Sequence, residues 1–448
     1  MKSRGMAERY FRNLITKKSL GYVIRNWFPG SYLEHRKLSF QVQRVKALSP
    51  QIEDAPMVST YCDRVFADIK SDLQGKGQYF RGIDKLEPFR PDEIEVEPFP
   101  LVFYCRNCYR IYRNIDSLPR GGKCLCVSGL REGFTGMIYQ ISQIFICPNC
   151  GEIKTIWDIY RNCKCSAEHI HYRVPDPMHP YKTAEIWCDI HEWRKIVREN
   201  MFCSICRRPL EGFPVSASYL SPARDVFIEG QFQSSMDHSP LEEDIVGHYG
   251  IESVQFGTLN IVELVYGFRV DVPGRTPTET PAIRPFMHPT EDNRAMALSR
   301  ILRTRALRIR FSAQVIDQLA DQEYLFLHSF KHLMLLASPL YTGLDVGEIL
   351  GVVAEDEKGT VYLYDGQPGG IGGCEALVNP NKFLGLVDYA RRFIRDHSGC
   401  IDACKKCLYL PHGVCKDLNH NLDRRLLLQY VYQMPTKQFT PWEDVRAA

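Results

Sequence analysis

Apolar residues are spaced differently in different parts of this chain, and the differences predict its elements. In the last third they recur at helical spacing across 313–338, 383–395 and 422–432, which predicts three helices. The apolar runs 349–354 and 361–364 between the first two predict strands, so this part reads as an α/β unit. Upstream the apolar runs are shorter. Phe99-Pro100-Leu101-Val102-Phe103-Tyr104 and Gln143-Ile144-Phe145-Ile146 each lead straight into a cysteine, as the strands of a ribbon hairpin do. Residues 259–270 form a longer strand-like run, and 273–281, rich in Pro and Thr, predicts an exposed loop. Residues 1–60 read as helix and short strands around the turn Phe28-Pro29-Gly30-Ser31, and 61–100 become acidic and Pro-rich, like a linker or edge segment.

Seventeen cysteines change this picture most. Cys105-x-x-Cys108 is followed by Cys124-x-Cys126, Cys147-x-x-Cys150 by Cys163-x-Cys165, and Cys188-x-x-His191 by Cys203-x-x-Cys206. Each couplet is two ligand pairs roughly a dozen residues apart, the spacing from which a zinc ribbon or knuckle closes a tetrahedral site. The first two couplets read as a degenerate tandem repeat. A fourth cluster, Cys400, Cys404, Cys407 and Cys415, lies near the C-terminus, while Cys62 and Cys374 stand apart. About four zinc ions are therefore expected. A chain of 448 residues needs no disulfide scaffold, and no signal peptide and no run of roughly twenty apolar residues is found. A reduced, soluble, cytoplasmic protein is the expectation. Sites with four protein ligands are closed and structural, each contributing on the order of 10–16 kcal/mol of apparent binding free energy.

Composition is that of an ordinary globular chain, 44% hydrophobic and 24% charged, and its length predicts two to four domains. The net charge of +3 is unevenly placed, because the first fifty residues carry eleven Lys or Arg against Glu8 and Glu34, a local +9. This arm, with Arg9, Arg12, Lys17, Lys18 and Arg25 among Tyr10, Phe11, Tyr22, Trp27, Phe28 and Tyr32, offers cations for phosphates and rings for bases. The alternative is that the rings are core and the cations a solvated face. An Arg-rich, acid-poor start also fits an organellar transit peptide, without a cleavage signal to support it. A second basic cluster, Arg294, Arg300, Arg303, Arg305, Arg308 and Arg310, is a candidate for phosphate contact or for a solvated surface.

No catalytic constellation stands out. The turn Asp365-Gly366-Gln367-Pro368-Gly369-Gly370-Ile371-Gly372-Gly373 fits neither a P-loop nor a dinucleotide fingerprint, and no GxxxxGK[ST] string occurs, so the turn reads as structural and ATP hydrolysis is not expected. His328 and His332 have the i,i+4 spacing of a metal pair, but Ser329 stands where a zincin needs Glu, so they read as core or second-shell histidines. His328 and Lys331 also lack the HxK spacing of phospholipase-D-type phosphodiesterases.

The segments Leu327-His328-Ser329-Phe330-Lys331-His332, Tyr364 to Gly372, the four C-terminal cysteines and Asn421-Leu422-Asp423-Arg424-Arg425 together resemble the MrfA-type zinc-binding (MZB) domain of DNA-repair helicases and of stand-alone helicase partners. The upstream segments 99–108 and 263–269 are similar to DrmB, the helicase partner of DISARM antiphage systems. The resemblance implies Cys400, Cys404, Cys407 and Cys415 as MZB ligands, with Cys374 as an alternative to one of them.

The resulting expectation is a mixed α+β chain: a basic region (1–100), three tandem β-rich zinc ribbons or knuckles (101–210), a β-rich connection with the Arg cluster (211–310) and a C-terminal α/β MZB-like domain (311–448). Its expected role is a non-catalytic subunit of a separate helicase in antiphage defence. It would bind single- or double-stranded DNA through Arg9, Arg12, Lys17, Lys18, Arg25, Arg300, Arg303, Arg305 and Arg308, with no membrane contact. The alternatives are a nuclease centred on His328, His332 and Asp365, and a pure protein-interaction scaffold.

Overall fold

The computed structural model describes residues 20–433 except 36–37, 47–54, 76, 92, 101, 113–123, 125, 127–137, 161–164, 166–168, 216–219, 243–245, 271–281, 289, 398, 401, 405, 411–413 and 416–420. The chain divides into two compact units, Met1–Arg224 with Leu264–Ser299 and Asp225–Glu263 with Arg300–Ala448. The strands Leu220–Ser234, Ile251–Val270 and Arg294–Phe311 each supply residues to both.

In the first unit the helix Ala55–Lys70 buries Val58, Cys62, Val65 and Ile69, which lie on one helical face. Burial pushes the Cys62 thiol up to about 12, so this cysteine behaves as a small core residue. The helix lies against the strand Lys85–Phe89, which pairs in parallel with residues 294–298. Tyr32–His35, Leu38–Lys46 and Glu93–Pro98 form an antiparallel sheet in that order. Trp27, Phe28 and Tyr32 are buried in its core with Phe40, Val42 and Val96, and Phe28 stacks on Phe268 and Phe286. These rings serve packing and not base stacking; Tyr10 and Phe11 lie outside the described residues, as does the side chain of Tyr22.

The cysteine-rich part of this unit is built from three antiparallel sheets of three strands. The first has the order Ile111–Tyr112, Phe103–Cys105, Ile138–Gln140, and the second Glu211–Pro214, Gln143–Ile146, Ile153–Lys154. The third runs Ile170–Arg173, Glu185–Cys188, Trp193–Ile196. The third sheet lies within the chain segment that joins the strands of the second. The ribbons are therefore nested and not a plain tandem series.

In the second unit residues 306–310 pair antiparallel with the strand Thr360–Asp365, which in turn pairs with Ile349–Val353. On this layer lies the helix Glu323–Ala337, in which every side chain from Phe326 to Leu335 is buried. A helix buried on all sides belongs in an interior, and this one also packs against Pro380–Asp396 and Arg424–Gln433. Pro380–Asp396 begins where the Asn379 side chain accepts hydrogen bonds from the Asn381 and Lys382 amides, with Pro380 in the first turn. It buries Phe383, Leu386, Val387, Ala390 and Ile394, again one face. The predicted helix across 313–338 is interrupted: Ala313–Leu319 ends at Ala320 (φ +48) before the central helix begins.

No helix among the described residues is long and apolar enough to cross a membrane.

Candidate metal centres

A single turn recurs at the ligand pairs of the first unit. After Cys105-x-x-Cys108, the Tyr109 amide donates to the Cys105 carbonyl (2.8 Å) and the Cys105 amide to Arg110 (3.0 Å). Gly151 and Cys147 repeat these bonds at 2.9 and 2.8 Å, and Arg207 and Cys203 at 3.1 and 2.8 Å. The residue after the second ligand is left-handed in every case: Tyr109 (φ +64), Gly151 (+72) and Arg207 (+61). Glu192, after His191, is left-handed as well (+49). Such a backbone costs a non-glycine residue about 1 kcal/mol or more, and it persists where the surroundings determine it. Here the turn folds the amides inward, so Asn107 donates to the Cys105 sulfur (3.4 Å) and Cys206 to the Cys203 sulfur (3.1 Å). Gly151 is required twice, because a Cβ there would also sit 2.9 Å from Cβ of Val270.

Five groups of sulfur and imidazole ligands, each with its ligand atoms within 4.8 Å of one another, are found among the described residues. The first is Cys105, Cys108, Cys124 and Cys126, with Sγ separations of 3.7 Å between Cys105 and Cys126 and 3.5 Å between Cys108 and Cys124. Burial opposes ionisation of Cys124, but the Tyr112 hydroxyl, which donates to its sulfur at 3.0 Å, together with neighbouring donors brings this thiol down to about 7. The second group is Cys147, Cys150, Cys203 and Cys206. Cys150 and Cys203 approach to 3.4 Å, and Asn149 donates to Cys206 at 3.1 Å. The third is Cys165, Cys188 and His191, in which Nδ1 of His191 lies 3.0 and 3.6 Å from the two sulfurs.

The second unit holds the other two. His397, Cys400, Cys404 and Cys407 form one, with Nε2 of His397 3.4 Å from the sulfurs of both Cys400 and Cys404 and a Cys400–Cys407 separation of 3.5 Å. Burial pushes the Cys407 thiol up to about 12. Arg424 braces this group, donating to the carbonyls of Ile394 (3.1 Å), Cys400 (3.3 Å) and His397. It thereby caps the end of Pro380–Asp396 and holds the ligand loop against it. In the last group His328 and His332 lie on the central helix and are joined by Cys415 from a later segment; all three are buried.

These groupings differ from those the spacing predicts. Cys147 and Cys150 join Cys203 and Cys206, and not Cys165, because Gln143–Ile146 pairs with Glu211–Pro214 and carries the two distant pairs together. Cys165 instead joins Cys188 and His191; Cys163 lies outside the described residues. Cys415 is separated from Cys400, Cys404 and Cys407, where His397 takes the expected fourth place. Cys374 belongs to none of the five: it is fully buried, donates to the Leu363 carbonyl (3.3 Å), and its thiol is pushed well up by burial. The candidate ligand that the cysteine spacing leaves out is His397. His397-x-x-Cys400 carried the same two-residue spacing as the cysteine pairs and was a readable signal.

The proposed cationic surface is reduced. Arg300 is buried, 2.7 Å from the equally buried Glu263, and also donates to the Gly366 carbonyl. That removes it from phosphate contact. Arg308 pairs with Glu357 (2.8 Å) and Gln255 (3.2 Å), Arg310 with Glu252, and Arg294 with Glu87 and Glu291. Arg303 and Arg305 are exposed on alternate positions of a strand, with Arg305 over the ring of Phe256. Arg25 is half-buried, and Arg9, Arg12, Lys17 and Lys18 lie outside the described residues.

Asp365, named with the two histidines for a nuclease, is fully buried. Its carboxylate accepts the amides of Ile371 (2.9 Å), Gly372 (3.1 Å) and Cys374 (2.9 Å), closing the Gly-rich turn upon itself. Gly370 (φ +91) and Gly372 (φ +84) give that turn its left-handed backbone.

Residues 330–408 match the family model for the MrfA Zn-binding domain, MZB. An uncharacterized protein of Methanocaldococcus jannaschii is 28% identical over 106 residues, 22% of this chain and 89% of its own. Among solved structures, the DUF1998 helicase MrfA bound to DNA is similar at 17% identity and a TM-score of 0.30, over 50% of this chain and 27% of that one. A second crystal structure of the DUF1998 helicase MrfA gives 19% and 0.26, over 46% and 24%. The chain thus covers only a minor part of the helicase's length. The family match and the ligand group His397, Cys400, Cys404 and Cys407 coincide: the second unit carries an MrfA Zn-binding domain.

Proposed function

We propose that this chain is a non-catalytic, DNA-binding accessory subunit of a separate helicase, in bacterial antiphage defence of the DISARM type. The observation that carries the reading is an MrfA Zn-binding domain in a sequence that contains no P-loop string. Zinc suits the ligand groups, since thiolate-rich sets with imidazole select a tetrahedral ion of that class. The sites with four protein ligands leave no position for a reacting water, so the metal braces surfaces and takes no part in chemistry. The thiolates need a reducing compartment, which is the cytoplasm. Phosphate contact falls to the basic N-terminal segment with Arg9, Arg12, Lys17, Lys18 and Arg25, and to the outward Arg303 and Arg305.

The test is titration of the purified full chain against labelled single- and double-stranded DNA at stepped salt. The expected result is a linear fall of log affinity with log salt, no DNA cleavage, and a partner-motor helicase activity that rises when this chain is added. Cleavage that disappears with His328→Ala would establish the nuclease instead. Tight helicase binding with no DNA shift would establish the scaffold.

A further inference from the structure

We propose that His328, His332 and Cys415 form a second metal centre in the C-terminal unit, distinct from the His397, Cys400, Cys404 and Cys407 site and holding a divalent ion of zinc's class. The i,i+4 spacing on the central helix places both rings on one face, with centroids 4.6 Å apart. Each ring is oriented by a backbone carbonyl: Nδ1 of His328 meets the Asn421 oxygen at 2.9 Å, and Nδ1 of His332 meets the Leu408 oxygen at 2.9 Å. A carbonyl takes a proton from Nδ1, so both imidazoles are held as the tautomer whose Nε2 carries the lone pair. Nε2 of His328 lies 3.5 Å from the Cys415 sulfur, and the three ligand atoms lie within 4.8 Å of one another. Metal–nitrogen bonds of about 2.0–2.1 Å and a metal–sulfur bond of about 2.3 Å fit inside such a triangle.

Burial strengthens the inference. Both histidines are 0% exposed and Cys415 is 4% exposed. Two carbonyl-oriented imidazoles converging with a thiol in the interior are what a metal centre requires. The two centres share one ligand loop without sharing a ligand, since Leu408, which orients His332, directly follows Cys407. The metal would clamp the loop and the start of the last helix onto the central helix. Three protein ligands leave one position of a tetrahedron to a ligand outside this set.

Metal content of the purified full-length chain, measured by plasma mass spectrometry, tests the proposal. Cys404→Ser and Cys415→Ser are each expected to remove about one equivalent of zinc, and the double variant about two. A double variant that loses only one equivalent would overturn the proposal, because it would place Cys415 with Cys400, Cys404 and Cys407. Should the variants not fold, the wild-type chain loaded with cadmium-113 answers the same question by NMR. A resonance of a two-nitrogen, one-sulfur site, well upfield of the thiolate-rich ones, is expected, and its absence overturns the proposal.

Discussion

Replacing Arg300 with Leu separates stability from binding at a residue that sequence alone placed on the DNA surface. The side chains of Arg300 and Glu263 are 3% and 0% exposed, and Nε meets the carboxylate at 2.7 Å. At that burial solvent does not screen the pair, so removing the guanidinium takes this counter-charge from the buried Glu263. The expected loss is about 3–5 kcal/mol. For a unit of this size that lowers the melting temperature by about 6–20 °C. Replacing both residues with Leu is expected to recover most of the loss, because the desolvated charge is gone as well. The assay is urea and thermal unfolding of the wild type, both single variants and the double variant, read as a double-mutant cycle. DNA affinity of Arg300→Leu, measured where the protein is folded, should equal that of the wild type. A loss below about 1 kcal/mol with weakened DNA binding would refute the assignment of Arg300 as an internal ion pair.

Three further outcomes are expected. Cys150→Ser and Cys203→Ser should each remove about one equivalent of zinc and together no more than one, whereas adding Cys165→Ser should remove another; metal analysis reads the difference. Asp365→Asn replaces a charged acceptor of three amides and should cost about 2–3 kcal/mol in urea unfolding at an unchanged m-value, without touching any metal. Burial works against ionisation of Glu185, but Arg194 and Arg173 override it and hold its carboxyl below the ordinary 4.5. Its contribution is therefore present above that pH and lost as pH falls through the depressed folded value. Glu185→Gln should cost about 0.5–1 kcal/mol at neutral pH and nothing in strong acid, by unfolding titrations of both proteins.

What was legible in the sequence was local. The strand Gln143–Ile146, the helices of the last third and the ligand pairs all follow from spacing within about ten residues. What was not legible was closure. A cysteine pair specifies half a site, and its partner is chosen by strand pairing at long range, as Gln143–Ile146 chooses Glu211–Pro214. His328 and His332 read as core because Ser329 stands where a zincin needs Glu, and they are indeed buried; burial alone does not distinguish a packed ring from a ligating one. The Arg294–Arg310 cluster is less cationic than its spacing suggests for a related reason, since Arg294, Arg300, Arg308 and Arg310 meet carboxylates from remote segments: Glu87, Glu263, Glu357 and Glu252.

The nested ribbons have a consequence during synthesis. Cys147 and Cys150 leave the ribosome 53 or more residues before the sulfurs that complete their site, and Cys165, Cys188 and His191 all emerge in the interval. The inner ribbon can capture its ion while the outer one is still half made, so the nascent chain passes through a stage at which Cys147 and Cys150 stand beside thiols that belong to another ion. An ion taken up early by a mixed set of these thiols would have to be given up by ligand exchange before both sites could close.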